Sequence, residues 1–130
     1  MAETQSSTRI KAVGRVMIPV TDQDRAIEFY ERLGFSKIAD VPFGDGNRWV
    51  EVSLGSGTTL ALVPPQQGNP VGVDTRIALD TDDIEALHGE LKQAGVDIDD
   101  EVSRMGGPVP PLCWFRDPDG NTLMLVEPAE

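Results

Sequence analysis

The 130-residue chain contains a single cysteine, Cys113, and a single histidine, His88. One cysteine rules out an internal disulfide, and so small a set of thiol and imidazole groups excludes a Cys/His zinc cluster. A Ser-His-Asp triad would have to use His88, which falls in a helical pattern in a chain without a G-x-S-x-G elbow. Basic residues are scarce too: 11 Lys and Arg stand against 22 Asp and Glu, for a formal net charge of -11. With no Lys/Arg-rich run to offset that field, neither nucleic acid nor an anionic membrane is expected as a partner. Apolar runs fall far short of the roughly 20 residues needed to cross a bilayer. The polar start MAETQSST has no signal-peptide core, so a cytoplasmic location is the expectation. Aromatic residues make up 5% of the chain, and Trp49 and Trp114 are the only tryptophans.

The remaining composition suffices for a packed core. Hydrophobic residues are 39% and charged residues 25% of the chain, close to globular averages. Val13 to Val20 reads as a strand, and Thr21 and Asp22 offer an N-cap to the next segment. From Asp24 to Leu33, Ala26, Ile27, Phe29, Tyr30 and Leu33 recur at helical spacing, and Gly34 closes the segment. Three short strand-like runs come after it, Phe35 to Val41, Arg48 to Leu54 and Thr58 to Val63, separated by FGDGN and GSG turns. After PPQQGNPVGVD the same order returns: strand from Thr75 to Leu79, helix from Asp82 to Gln93, then runs at Val96 to Asp99, Leu112 to Arg116 and Thr122 to Val126. At an offset of 61, Arg15-Val16-Met17-Ile18 falls on Arg76-Ile77-Ala78-Leu79; at 63, Thr59 to Val63 falls on Thr122 to Val126. The expected organisation is a tail over 1–12, a first βαβββ module over 13–63, a linker over 64–74 and a second module over 75–128.

Two βαβββ modules, with D-x-D-R-A-x-x-F-Y-x-x-L-G-F at Asp22 to Phe35 and F-R-D-P-D-G-N-T-L from Phe115, resemble the vicinal oxygen chelate superfamily. That group includes glyoxalase I, bleomycin resistance proteins and extradiol dioxygenases. The resemblance implies an α+β fold in which the two sheets curve into a cup, helices cover the outer face, and a divalent metal sits inside. It also implies metal ligands from the first and last strand of each module, and those places here hold Arg15, Ala61, Arg76 and Met124. Arginine only donates, alanine offers nothing, and a lone thioether is too soft for the usual metals. A metal-independent cup with no cofactor is therefore expected. Proteins of this kind are often two-fold dimers, so a homodimer is expected as well.

With those four positions facing inward, strand alternation adds Met17, Val63, Ala78 and Asp80, and the middle strands add Trp49, Glu51, Leu112 and Trp114. Val50, Val52, Leu54, Cys113 and Phe115 should then face the helices. The candidate ligand-binding residues are Arg15, Met17, Trp49, Glu51, Arg76, Asp80, Trp114 and Met124. Arg15 and Arg76 either converge on a bound carboxylate, phosphate or phenolate, or are neutralised by Glu51 and Asp80. Trp49 and Trp114 either wall a flat ligand or fill core. Glu51 is the candidate general base of an enzyme, with ion pairing as the alternative. Ser103 to Pro111 is either a lid carrying Met105 and Arg104 or a stiff connector. Three functions fit: a small-molecule binding protein for a planar or anionic ligand, a glyoxalase-like lyase, isomerase or dioxygenase with unusual ligands, and a structural or regulatory domain with a filled cup.

Overall fold

The computed structural model describes residues 9–66 and 70–129; residues 1–8 of the expected tail and 67–69 of the expected linker lie outside them. In chain order the elements are β1 (Arg15–Pro19), α1 (Gln23–Arg32), β2 (Ser36–Gly44), β3 (Asn47–Ser53), β4 (Thr59–Val63), β5 (Asp74–Asp80), α2 (Ile84–Gln93), β6 (Asp97–Ile98), β7 (Leu112–Arg116) and β8 (Thr122–Val126). They form two four-stranded mixed sheets of the same design, β1-β4-β3-β2 and β5-β8-β7-β6, each with its parallel pair at β1·β4 or β5·β8. This is an α+β chain built of two βαβββ modules.

Both helices start where a short carboxylate is available. Asp22 accepts the Arg25 amide at 3.0 Å and Asp83 accepts the Ala86 amide at 3.1 Å, each satisfying a donor that has no partner inside its helix. The helices stop at Leu33 and Ala94, and Gly34 and Gly95 then take positive φ, which costs glycine little. The β2–β3 hairpin closes through Asp45 and Gly46, both at positive φ, the pairing a two-residue type I′ turn requires. The expected strands recur with shifted ends: β2 runs on to Gly44, while β6 is only two residues long.

In-register partners share a sheet face, so pairing decides where side chains go. Ile18, Leu62 and Val50 form one row, Val16, Leu60 and Val52 the next, on the helix side of the first sheet. In the second sheet Leu79, Leu125 and Cys113 correspond to them, beside Leu123 and Phe115. These rows join α1 and α2 in one hydrophobic core. Leu54 departs from expectation: it lies just past the end of β3 and is exposed, because alternation holds only while the strand lasts.

Polar contacts tie the modules together. The buried Tyr30 hydroxyl donates to Asp117 Oδ2 at 3.0 Å, and Asn121, fully buried, donates from Nδ2 to that same oxygen and to the Pro19 carbonyl. Asp119 accepts from the Thr21 amide and hydroxyl. The D-P-D-G-N turn is thus the joint between the second module and the first.

Candidate functional site

The sheet faces turned away from the helices are partly open, although Ala61, Glu51 and Leu112 on them are buried. In the first module Ala39, Glu51, Ala61 and Met17 lie in one row across four strands. Met17 is 57% exposed, whereas Ala61, small and flanked by Met17 and Glu51, is covered. Trp49 stands two residues before Glu51 on the same face, opposite Val41. Three donors converge on the Glu51 carboxylate: the Thr59 hydroxyl at 2.7 Å, the Trp49 indole N–H at 2.7 Å and the Arg15 Nε at 3.2 Å. The Thr59 hydrogen bond, reinforced by those from Trp49 and Arg15, holds the carboxyl below its ordinary range against the opposing effect of burial. Glu51 is therefore an ionised anchor that fixes Arg15 and Trp49. The ion pair expected as one alternative for this residue is present, with Arg15 Nε at 3.2 Å.

The second module looks equivalent in sequence but differs in backbone. Alignment of the repeat equates Arg76 with Arg15, and Arg15 pairs with Thr59. The residue opposite Thr122, the counterpart of Thr59, is Asp74 rather than Arg76. Between there and the next paired position, Ala78 opposite Met124, β5 takes four steps while β8 takes two. The extra residues form a bulge that re-aims the side chains within it. Arg76 sits at the bulge with φ of 61°, a left-handed conformation that side chains other than glycine rarely adopt. Asp74 Oδ1 accepts the Arg76 amide at 3.0 Å and Thr75 Oγ1 accepts the Ile77 amide at 3.2 Å, so short side chains replace the lost ladder bonds.

Arg76 borders a hollow of about 280 Å³ with Asp74, Ile77, Trp114 and Met124. A second hollow of about 450 Å³ lies beside it, lined by Met17, Pro19, Val63, Pro70, Asp74 and Thr75, and shares Asp74 with the first. The structure thus gathers Arg15, Trp49 and Glu51 in one cluster and Arg76, Trp114 and Met124 in another. Asp80 is exposed and makes no ion pair with Arg76. The contributions of Thr59, Asp74 and Thr75 were missed by sequence reasoning. The signal available was the D-T-R triplet, whose first two side chains readily bond their own backbone.

Other candidates lie elsewhere. His88 on α2 donates Nε2–H to the Asp99 carbonyl at 2.7 Å and is half-buried. Cys113 is fully buried, and that burial, with Asp99 and Glu85 nearby, pushes its thiol up to about 11. The stretch Ser103 to Pro111 is pinned at its base by backbone bonds between Ser103 and Leu112 and by an Arg104–Glu85 pair at 2.6 Å, while Met105 at its tip is exposed.

Superfamily-type metal chemistry needs imidazole or carboxylate ligands. Arg15, Ala61, Arg76 and Met124 do not supply them, and among the described residues no group of three or more His, Cys, Asp or Glu side chains could hold a metal ion. The residues present do not fit the group.

Residues 12–125 match the family model of the Glyoxalase/Bleomycin resistance protein/Dioxygenase superfamily. The chain belongs to that superfamily. Among curated proteins, the uncharacterized protein YetH of Bacillus subtilis (strain 168) is 31% identical over 121 residues, covering 91% of this chain and 99% of YetH. Among solved structures, a superfamily member from Sphaerobacter thermophilus DSM 20745 is 36% identical with a TM-score of 0.83, covering 92% of this chain and 99% of its own. TnmS3, an antibiotic binding protein from Streptomyces sp. CB03234, is 35% identical with a TM-score of 0.81, covering 94% and 99%. This superfamily member also has no described helix long and apolar enough to cross a membrane.

Proposed function

We propose that this superfamily member is a small-molecule binding protein that works without a metal and takes a planar ligand, anionic or partly so, on its open sheet faces. The observation that carries the reading is the pair of open faces furnished with Met17, Trp49, Trp114 and Met124 where metal ligands are missing. Flat indoles give contact area to an aromatic ligand at small entropic cost, and flexible thioethers adapt to its shape. The likeness to TnmS3, an antibiotic binding protein, supports the same reading. Each module offers half of a cup, and a second copy of the chain completes it, so the active species is a homodimer in the cytoplasm.

A thermal-shift screen of planar aromatic compounds against protein purified without chelators tests this directly. A ligand that binds only the native state raises the melting temperature with its concentration. Plasma mass spectrometry of the same preparation should find less than stoichiometric zinc, manganese, nickel and iron. About one such metal per chain, removed by chelator together with ligand binding, would overturn the proposal.

A further inference from the structure

The two arginines that the repeat sets in equivalent positions do not have equivalent roles. We infer that Arg76 alone is the anion receptor of the site, and that the ligand is an aromatic molecule whose carboxylate docks on Arg76 while its ring lies against Trp114 and Met124. This rests on the ligand-binding reading above and narrows it to one ligand class.

Ion pairing carries the first part of the argument. Every other arginine from β1 onward has a carboxylate partner: Arg15 with Glu51, Arg25 with Asp119, Arg32 with Glu28, Arg48 with Asp40, Arg104 with Glu85 and Arg116 with Asp99. In a chain carrying 22 acidic residues, Arg76, an exposed residue, has no carboxylate partner among the described residues. Asp74, which lines the same hollow, turns Oδ1 to the Arg76 amide. A guanidinium left without a carboxylate at the edge of a hollow, beside a flat indole and a thioether, has the fork geometry for one.

Backbone geometry carries the second part. A left-handed backbone on this two-residue bulge is costly for a residue with a Cβ, and glycine would adopt it more easily than arginine. In the first module the same strand runs without a bulge and its arginine is spent on Glu51. The bulge therefore moves one cation out of the sheet's internal network and into the hollow. The adjoining hollow at Met17, Val63 and Pro70 gives the uncharged remainder of a larger ligand somewhere to extend.

The test compares 2-naphthoate with its uncharged amide, 2-naphthamide, by isothermal titration calorimetry on the full chain. The wild type should prefer the carboxylate by about ten-fold or more at low salt, with the preference shrinking as salt rises. Arg76→Gln should equalise the two compounds, whereas Arg32→Gln, an equal charge change on α1, should leave the preference in place. Arg76→Gly should also abolish the preference while melting no lower than the wild type, which separates lost recognition from lost folding. Equal binding of both compounds to the wild type would overturn the inference and leave the ligand-binding reading standing. A loss of dimer mass on Arg76→Gln without any change in preference would also overturn it, by assigning the arginine to a carboxylate of a second copy. If neither these compounds nor any in the thermal-shift screen binds, both readings fall together.

Discussion

At Glu51, burial and hydrogen bonding act in opposite directions on one carboxyl group, and the hydrogen bonds win. Thr59, Trp49 and Arg15 all donate to it, so removing the charge leaves three donors with a weaker acceptor. Glu51→Gln should lower the unfolding free energy at pH 7 by about 1–3 kcal/mol, read from urea titrations. Because the folded carboxyl titrates below its ordinary value of 4.5, its contribution is complete above that pH and is lost as the pH falls through the lower folded value. The gap between wild type and variant should therefore narrow on acidification, and a gap independent of pH would show that packing, not charge, is what the variant loses. Alternation placed Glu51 and Trp49 on one face from sequence alone. It could not show that Thr59, on the neighbouring strand, would supply one of the two shortest hydrogen bonds to it, because that depends on register.

Caps and bulges show which features of an element can be read in advance. Asp22 and Asp83 occupy the same place in the two modules, both exposed, both accepting an amide near 3 Å, and their helices differ mainly in the buried face. Asp22→Ala and Asp83→Ala should each lower stability by about 1 kcal/mol, measured as a shift of the urea midpoint without a change in slope. A large loss from one and none from the other would mean that one carboxylate serves tertiary structure rather than its helix. These caps were legible because a capping residue acts within its own turn. Both helices and all eight strands were legible for the same reason, since periodicity and turn residues are local signals. The β5 bulge was not: T-R-I-A-L has the composition of a regular strand, and only the pairing with β8 shows that Asp74 takes the slot expected for its arginine. The symmetric pair of cations expected from the repeat is consequently two different groups, one inside the first sheet's network and one at the hollow.

At the scale of the whole molecule, the two modules share one core and are joined through Tyr30, Asp117 and Asn121, yet the faces opposite that core are left uncovered. The edge strand β2 exposes Ile38, Val41 and Phe43, each by more than half, and Met17 on β1 does the same. Scattered apolar side chains on a surface need no explanation, but Ile38, Val41 and Phe43 lie together on the long free edge strand of one sheet, with Met17 on the opposite edge strand of the same sheet. A second copy would cover such a surface and could close a two-fold assembly, since each chain presents the same patch to the other. Sedimentation equilibrium should accordingly give twice the 14.1 kDa chain mass. Phe43→Asp, which places a charge on that free edge without touching the core, should shift the equilibrium to monomer while leaving the circular dichroism spectrum intact. Planar ligands should bind this monomer at least ten-fold more weakly, because a cup made of two copies loses a wall when they part. A wild-type monomer mass independent of concentration would remove the dimer, and full-strength binding by the Phe43→Asp monomer would place the whole ligand site within one chain.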